Sequence, residues 1–195
     1  MELALDLPAG IEQGRAVSES ATPPSDEAGL VEQARSGQGE AFEWLYARYA
    51  RMVHGILLAR VPRRDVEDLV QEVFLTVHRR FATLRDARAF GGWLAMIARN
   101  RAMDHARRRA EPLELPDEIA AGGDGETQAE AAEALEAIQA LPEAYRETLI
   151  LRFVEGMTGP EISERTGLTP GSVRVNLHRG MALLRQSLRR SQTYG

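Results

Sequence analysis

The residues able to do chemistry in this chain of 195 are arginines, carboxylates and a few histidines. There is no cysteine, which removes disulfides, thiolate metal sites, iron–sulfur clusters and cysteine nucleophiles together. The four histidines, His54, His78, His105 and His178, fall into no metal-ligand spacing. Gly122-Gly-Asp-Gly follows no strand and opens no helix, so it is not a phosphate loop. No catalytic carboxylate pair or nucleophile constellation stands out. The expectation is a protein that is not an enzyme and holds neither a cofactor nor a metal. What remains is Arg, which supplies all 24 basic residues. Its planar fork suits bidentate contacts to phosphates and guanine edges.

The distribution of charge sharpens this. Net charge is −5, yet residues 28–110 carry fifteen Arg against nine acids, and residues 170–195 carry five Arg and no acid. Residues 1–27 hold six acids and one Arg, and 111–128 hold six acids and no base. Two basic zones separated by an acidic connector point to a polyanion partner more than the whole-chain balance does. No apolar run approaches the ~20 residues a bilayer span needs. The start, Met-Glu-Leu-Ala-Leu-Asp, is acidic where a signal peptide is basic. These features lead us to expect a cytoplasmic protein without a membrane partner.

The elements that must position these residues read as helices throughout. Residues 1–26, with Pro8, Gly10, Pro23 and Pro24, read as a disordered acidic tail. A short helix around Leu30, Val31 and Ala34 closes at Ser36-Gly37. Next comes 39–60, with Phe42, Leu45, Tyr49, Val53 and Ile56 on one face. Val61-Pro62 breaks it. A third helix, 63–81, buries Val66, Leu69, Val70, Val73, Phe74 and Val77, and leaves Asp65, Glu67, Asp68, Gln71, Glu72 and Leu75 outside. After a loop at 82–89, a fourth helix spans 90–109. Gly91-Gly92 weakens its first turn by ~1 kcal/mol per Gly, a cost that fits either a frayed start or the close approach of another element. Residues 111–128 are a flexible acidic linker by composition, and helices at 127–140, 142–155, 159–166 and 170–190 follow. The expected fold is all-α: two small helical domains, 27–110 and 129–191, joined by that linker.

The second domain contains a helix-turn-helix. Thr158-Gly-Pro-Glu161 has capping-box spacing, and Gly167 sits where a left-handed C-terminal residue is expected. Thr169-Pro170 opens the next helix. Ile162, Leu168, Val173 and Leu177 can then bury together, with Met181, Leu184 and Leu188 extending the stripe. The opposite face offers Ser172, Arg174, Val175, His178 and Arg179 at the helix start, the part that enters a major groove in this motif. A solvated Arg face on an ordinary helical hairpin would look similar.

Three segments carry a family resemblance. Asp68-Leu-Val-Gln71-Glu72-Val-Phe74 is similar to the helix by which bacterial sigma factors grip core RNA polymerase. Phe90-Gly-Gly-Trp93 through Asn100-Arg101 to Arg107-Arg108-Arg109 resembles their promoter-melting helix. Leu141-Pro142-Glu143-x-x-Arg146 and Gly171-Ser172-Val173-Arg174 resemble their C-terminal DNA-reading module. The resemblance covers about 28–110 and 129–190 in the family's order, and the small size is similar to the extracytoplasmic-function group. It implies that Asp68, Gln71, Glu72 and Leu75 face the clamp helices of the polymerase's largest subunit. It implies that Arg88, Phe90, Trp93, Asn100, Arg101 and Arg107 meet the single-stranded minus-ten element. Ser172, Arg174, Val175, His178 and Arg179 would read the duplex minus-thirty-five element. An anti-sigma protein is a further implied partner. Asn176 and Gly180 depart from the family pattern.

Physical chemistry makes the strand-opening role reasonable. Opening DNA without ATP requires contacts that offset lost stacking, a few kcal/mol per base, and apolar platforms beside a cationic track supply them. Trp93 between Phe90 and Ile97 also suits a core position. Two other functions fit the residues alone. One is a stand-alone dimeric helix-turn-helix regulator, which would bind duplex DNA tightly by itself. The other is an interaction protein whose acidic third-helix face takes a different helical partner.

Overall fold

Every described element is helical, and α1 and α7 begin at side-chain caps. The computed structural model describes residues 26–109 and 133–194. The acidic tail before Asp26 and the 111–128 linker lie outside them. Asp26 caps the first helix, α1 (Glu27–Arg35), by accepting from the Ala28 amide at 3.2 Å, and Gly37 turns the chain out at φ +92°. Next come α2 (Gly39–Leu58), α3 (Val66–Arg80) and α4 (Phe90–Arg109). The second block holds α5 (133–139), α6 (Glu143–Leu149), α7 (Gly159–Thr166) and α8 (Pro170–Tyr194).

Several boundaries differ from the sequence reading, among them the end of α8 at Tyr194 rather than residue 190. The α-helical part of α2 stops at Leu58 rather than residue 60, and Arg63–Asp65 is a tight 3₁₀ turn ahead of α3. The expected loop 82–89 overlaps two short 3₁₀ turns, Phe81–Thr83 and Ala87–Ala89, which bury Phe81 and Ala87. The helix expected over 142–155 changes character. After Leu149 it widens into a π turn, Ile150–Val154, in which the Glu155 amide reaches back five residues to the Ile150 carbonyl at 3.0 Å. Gly180 does not interrupt α8. A side chain there would crowd Leu149 and Tyr145 at 3.0–3.2 Å, so the missing Cβ lets α8 lie against α6.

Helix α2 is the hub. It packs against α1, α3 and α4, and also against the π turn and α7 of the second block. The buried side chains of both blocks form one continuous core, from Val31, Leu45 and Ile56 to Leu149, Leu151 and Ile162. The open carbonyls at the end of α2 are satisfied across this boundary: Gln139 donates to Leu58 and Arg146 to Ala59, each at 2.9 Å. Arg146 of the Leu141-Pro142-Glu143 motif therefore ties the second block to the first.

Candidate nucleic-acid interface

The outward face of α3 carries the first candidate surface. Val66, Leu69, Val70, Val73, Phe74 and Val77 are buried, which turns Asp68, Gln71, Glu72 and Leu75 to solvent. Leu75 is 54% exposed, an apolar residue in an acidic surround. The helix thus offers one hydrophobic contact ringed by acceptors.

On α4 the expected strand-binding residues separate into two groups. Phe90 has no exposed surface: it stacks on Phe81 at 5.7 Å and meets Tyr49 edge-on at 5.2 Å. Its ring supports the core and does not reach a DNA strand in this conformation. Trp93 is half-buried at the rim, 6.1 Å from Phe90. Arg88, Asn100 and Arg107 are exposed, with Arg107 near Asp104 at 3.6 Å. The amide of Arg88 donates to Asp86 at 3.0 Å, which fixes the turn just before the helix. Arg101 is bonded to Glu72, so one expected strand-binding residue is paired with one expected polymerase-binding residue. Met96 and Met103, missed in the sequence, are about half exposed and share a stripe with Asn100 and Arg107. The signal for them was present as steps of three and four residues along α4.

The helix-turn-helix forms as its caps dictate. Thr158 and Glu161 make the reciprocal capping box, and Gly167 adopts φ +75°. Bonds from the Thr158 amide and hydroxyl hold the Glu161 carboxyl below its usual range. Thr169 accepts from the Ser172 amide at 3.1 Å and starts α8. Ile162 and Val173 are buried between the helices, with Leu168 and Leu177 half-buried beside them. Ser172, Arg174, Val175, His178 and Arg179 are all exposed on the opposite face.

A polar cluster that no periodicity could disclose joins the blocks. Glu147 is buried, and its carboxylate meets Arg60 at 2.5 Å and Arg99 at 2.6 Å. Burial opposes its ionisation, but the hydrogen bonds and charges of the two guanidiniums outweigh that and hold it below the ordinary carboxylate value. Bonding to Glu147 likewise raises Arg99. Nearby, His54 Nδ1 lies 2.6 Å from Glu155 and its Nε2 lies 3.7 Å from Glu67. Burial lowers the affinity of His54 for a proton, yet these carboxylates raise it further, and the net shift is upward. In α2, burial and a hydrogen bond to Glu27 push the Tyr49 hydroxyl upward. Among the described residues no cluster of His, Asp and Glu is arranged to hold a metal, and no helix is long and apolar enough to cross a membrane.

The fold defines an all-helical protein of two modules, the second a helix-turn-helix. Residues 45–111 match the family model Sigma-70 region 2, and residues 131–184 match Sigma-70, region 4. The RNA polymerase sigma factor CarQ of Myxococcus xanthus is 36% identical over 170 residues, covering 81% of this chain and 95% of that relative. The ECF RNA polymerase sigma-E factor of Haemophilus influenzae is 30% identical, covering 82% and 93%. The solved structure of CnrH in complex with the cytosolic domain of CnrY matches with a TM-score of 0.59 at 27% identity, covering 84% of this chain and 97% of that one. The chain belongs to the extracytoplasmic-function sigma factors, specificity subunits that direct RNA polymerase to promoters to initiate transcription. A stand-alone dimeric regulator is not favoured, because matches to both sigma regions span the two modules.

Proposed function

We propose that this sigma factor divides its work among three surfaces. Asp68, Gln71, Glu72 and Leu75 dock on the clamp helices of the polymerase's largest subunit, with Leu75 entering an apolar contact and the acids meeting bases around it. Arg88, Trp93, Asn100, Arg101 and Arg107 hold the unpaired minus-ten strand, while Phe90 shapes the entrance of α4 from beneath. Ser172, Arg174, Val175, His178 and Arg179 enter the major groove of the minus-thirty-five element. The observation that carries this reading is the exposure of the α3 and α8 faces on modules that match the family's two DNA- and polymerase-directed regions.

The chain itself does no chemistry under this reading, since bond formation belongs to the polymerase. It works in the cytoplasm, where polymerase and promoter are. An anti-sigma protein is its regulator. CnrH is solved with CnrY, and this chain is similar to CnrH along most of its length.

Run-off transcription with purified core polymerase and a promoter library tests the whole reading. We expect specific transcripts only when chain and core are both present. Gln71→Ala combined with Leu75→Ala should lower core capture at least about tenfold, the loss of one buried apolar contact and its hydrogen bonds. Duplex binding by the second module should stay unchanged. Loss of both activities together would point to misfolding rather than to a docking surface, and unchanged core capture would overturn the assignment.

A further inference from the structure

The first turns of α8 hold one apolar side chain out in water. Val175 is 44% exposed, and among the described residues of α7 and α8 no other large hydrophobic is exposed. Its neighbours on the helix surface, three and four residues away, are Ser172, His178 and Arg179, with Arg174 next to it in sequence. All four are exposed and all form hydrogen bonds by nature. A helical side chain leans over the turn before it, so Val175 lies toward Gly171. A Cβ on Gly171 would meet only Thr169 Oγ1, at 3.9 Å, so packing within the chain does not call for a glycine there. Its missing side chain leaves the route to Val175 open.

Asn176, the next residue, does not offer its amide to the same side. Its Nδ2 donates to Thr148 Oγ1 at 3.3 Å, and that fully buried hydroxyl donates in turn to the Ala144 carbonyl at 2.9 Å. The pair of bonds ties α8 to α6. In a major groove Asn and Gln read adenine through N6 and N7, Arg reads guanine through O6 and N7, and apolar side chains touch the C5-methyl of thymine. With Asn176 turned inward, no amide side chain faces out among the described residues 170–179. Val175 remains, a group that neither a phosphate nor a polar base edge satisfies.

We infer that Val175 is a specificity-determining residue that packs on the C5-methyl of a thymine in the minus-thirty-five element, so that one A·T pair is read from its pyrimidine side. This rests on the proposed seating of α8 in the duplex and names a base which that reading leaves open. Arg174 and Arg179 carry the polar contacts around it. The gain is that of one buried methyl group, which sets the discrimination against a base without it at about fourfold. Contacts to phosphate position the helix, and the methyl contact chooses the base.

The test uses the tagged full chain, mixed with core polymerase and a pool of duplexes carrying a randomised stretch. We expect the duplexes retained by the parent to share a thymine. Uracil in its place removes the methyl and nothing else, and should weaken retention about fourfold. Val175→Ser should lose the preference at that position alone and hold the thymine and uracil duplexes equally. Val175→Thr keeps one methyl and should restore part of the preference. Both change an exposed side chain and should melt as the parent does. Asn176→Ala should leave the selected bases as they are. A parent that enriches no duplex, or that tolerates uracil at every thymine of its motif, overturns the proposal. So does a uracil effect equally large in Val175→Ser, since another group would then read the methyl, and so does a motif that Asn176→Ala alters at the same position. Core capture and run-off transcripts are recorded from the same mixture. A thymine that depends on Val175, selected without core capture, would keep this contact and sink the sigma reading.

Discussion

Glu147 shows what one buried carboxylate does here. Its side chain is 5% exposed and its two partners come from different helices, Arg60 after α2 and Arg99 on α4. Glu147→Gln keeps the shape and removes the charge, leaving two guanidiniums with weaker bonds. We expect a loss of about 1–3 kcal/mol, read from the urea midpoint of the folded chain. Titration adds a signature. The Glu147 carboxyl is held below its ordinary value of 4.5, so its contribution is complete above that pH and is lost as pH falls through the lowered value. The His54 imidazole is raised above 6.5, so its contribution is complete below that pH and is lost as pH rises through the raised value. Facing His54 are Glu155 from the end of the π turn, Glu67 from α3 and the Arg63 charge, with Arg51 bonded to the same Glu155. Thermal melts should therefore show a maximum between about pH 4.5 and 6.5, and His54→Gln should flatten the alkaline side while leaving the acid side.

Among the elements, α7 and α8 illustrate what local chemistry specifies. Thr158→Ala removes the acceptor for the Glu161 amide and the hydroxyl bond to the Glu161 carboxylate, leaving only the residue-158 amide bonded to it, and should cost about 1 kcal/mol in a urea titration. Gly180→Ala sets two effects against each other. Ala is favoured in a helix by about 1 kcal/mol, but the methyl meets fully buried Leu149 at 3.0 Å and Tyr145 at 3.1 Å. Leu149 is fully buried, so we expect a net loss of about 1 kcal/mol from overpacking and a weaker α6–α8 contact. The same elements show what was legible beforehand. The Thr158 box, the Gly167 turn and the apolar stripe of α3 follow from periodicity and capping rules that act within a few residues. The double glycine at 91–92 fitted a frayed start or a close neighbour equally, and only the fold decides for the neighbour. The π turn, the burial of Phe90 and the role of Gly180 depend on partners far away in sequence, and no local rule reports those. Nothing local pairs Glu147 with Arg99, 48 residues apart, until the fold brings them together.

At the scale of the molecule, the bond between Glu72 and Arg101 joins the two surfaces of the first module. Glu72 belongs to the face assigned to polymerase, and Arg101 to the face assigned to the unpaired strand. On the proposed assignment, a polymerase group that engaged Glu72 would release Arg101 for phosphate, so docking at one surface would prepare the other. Glu72 is 46% exposed, and solvent screening keeps such a pair to roughly 0.2–1 kcal/mol. The expected effect is accordingly modest and has a definite sign. Glu72→Gln should weaken core capture, yet tighten oligo-dT binding by the free chain up to about fivefold. One more phosphate contact also steepens the salt dependence, so the slope of log K against log salt should grow by about 0.7 for a single strand. Arg101→Gln introduced together with Glu72→Gln should abolish both the gain and the added slope. A gain that survived the second substitution would mean that Glu72 repels the strand directly rather than holding Arg101 away from it.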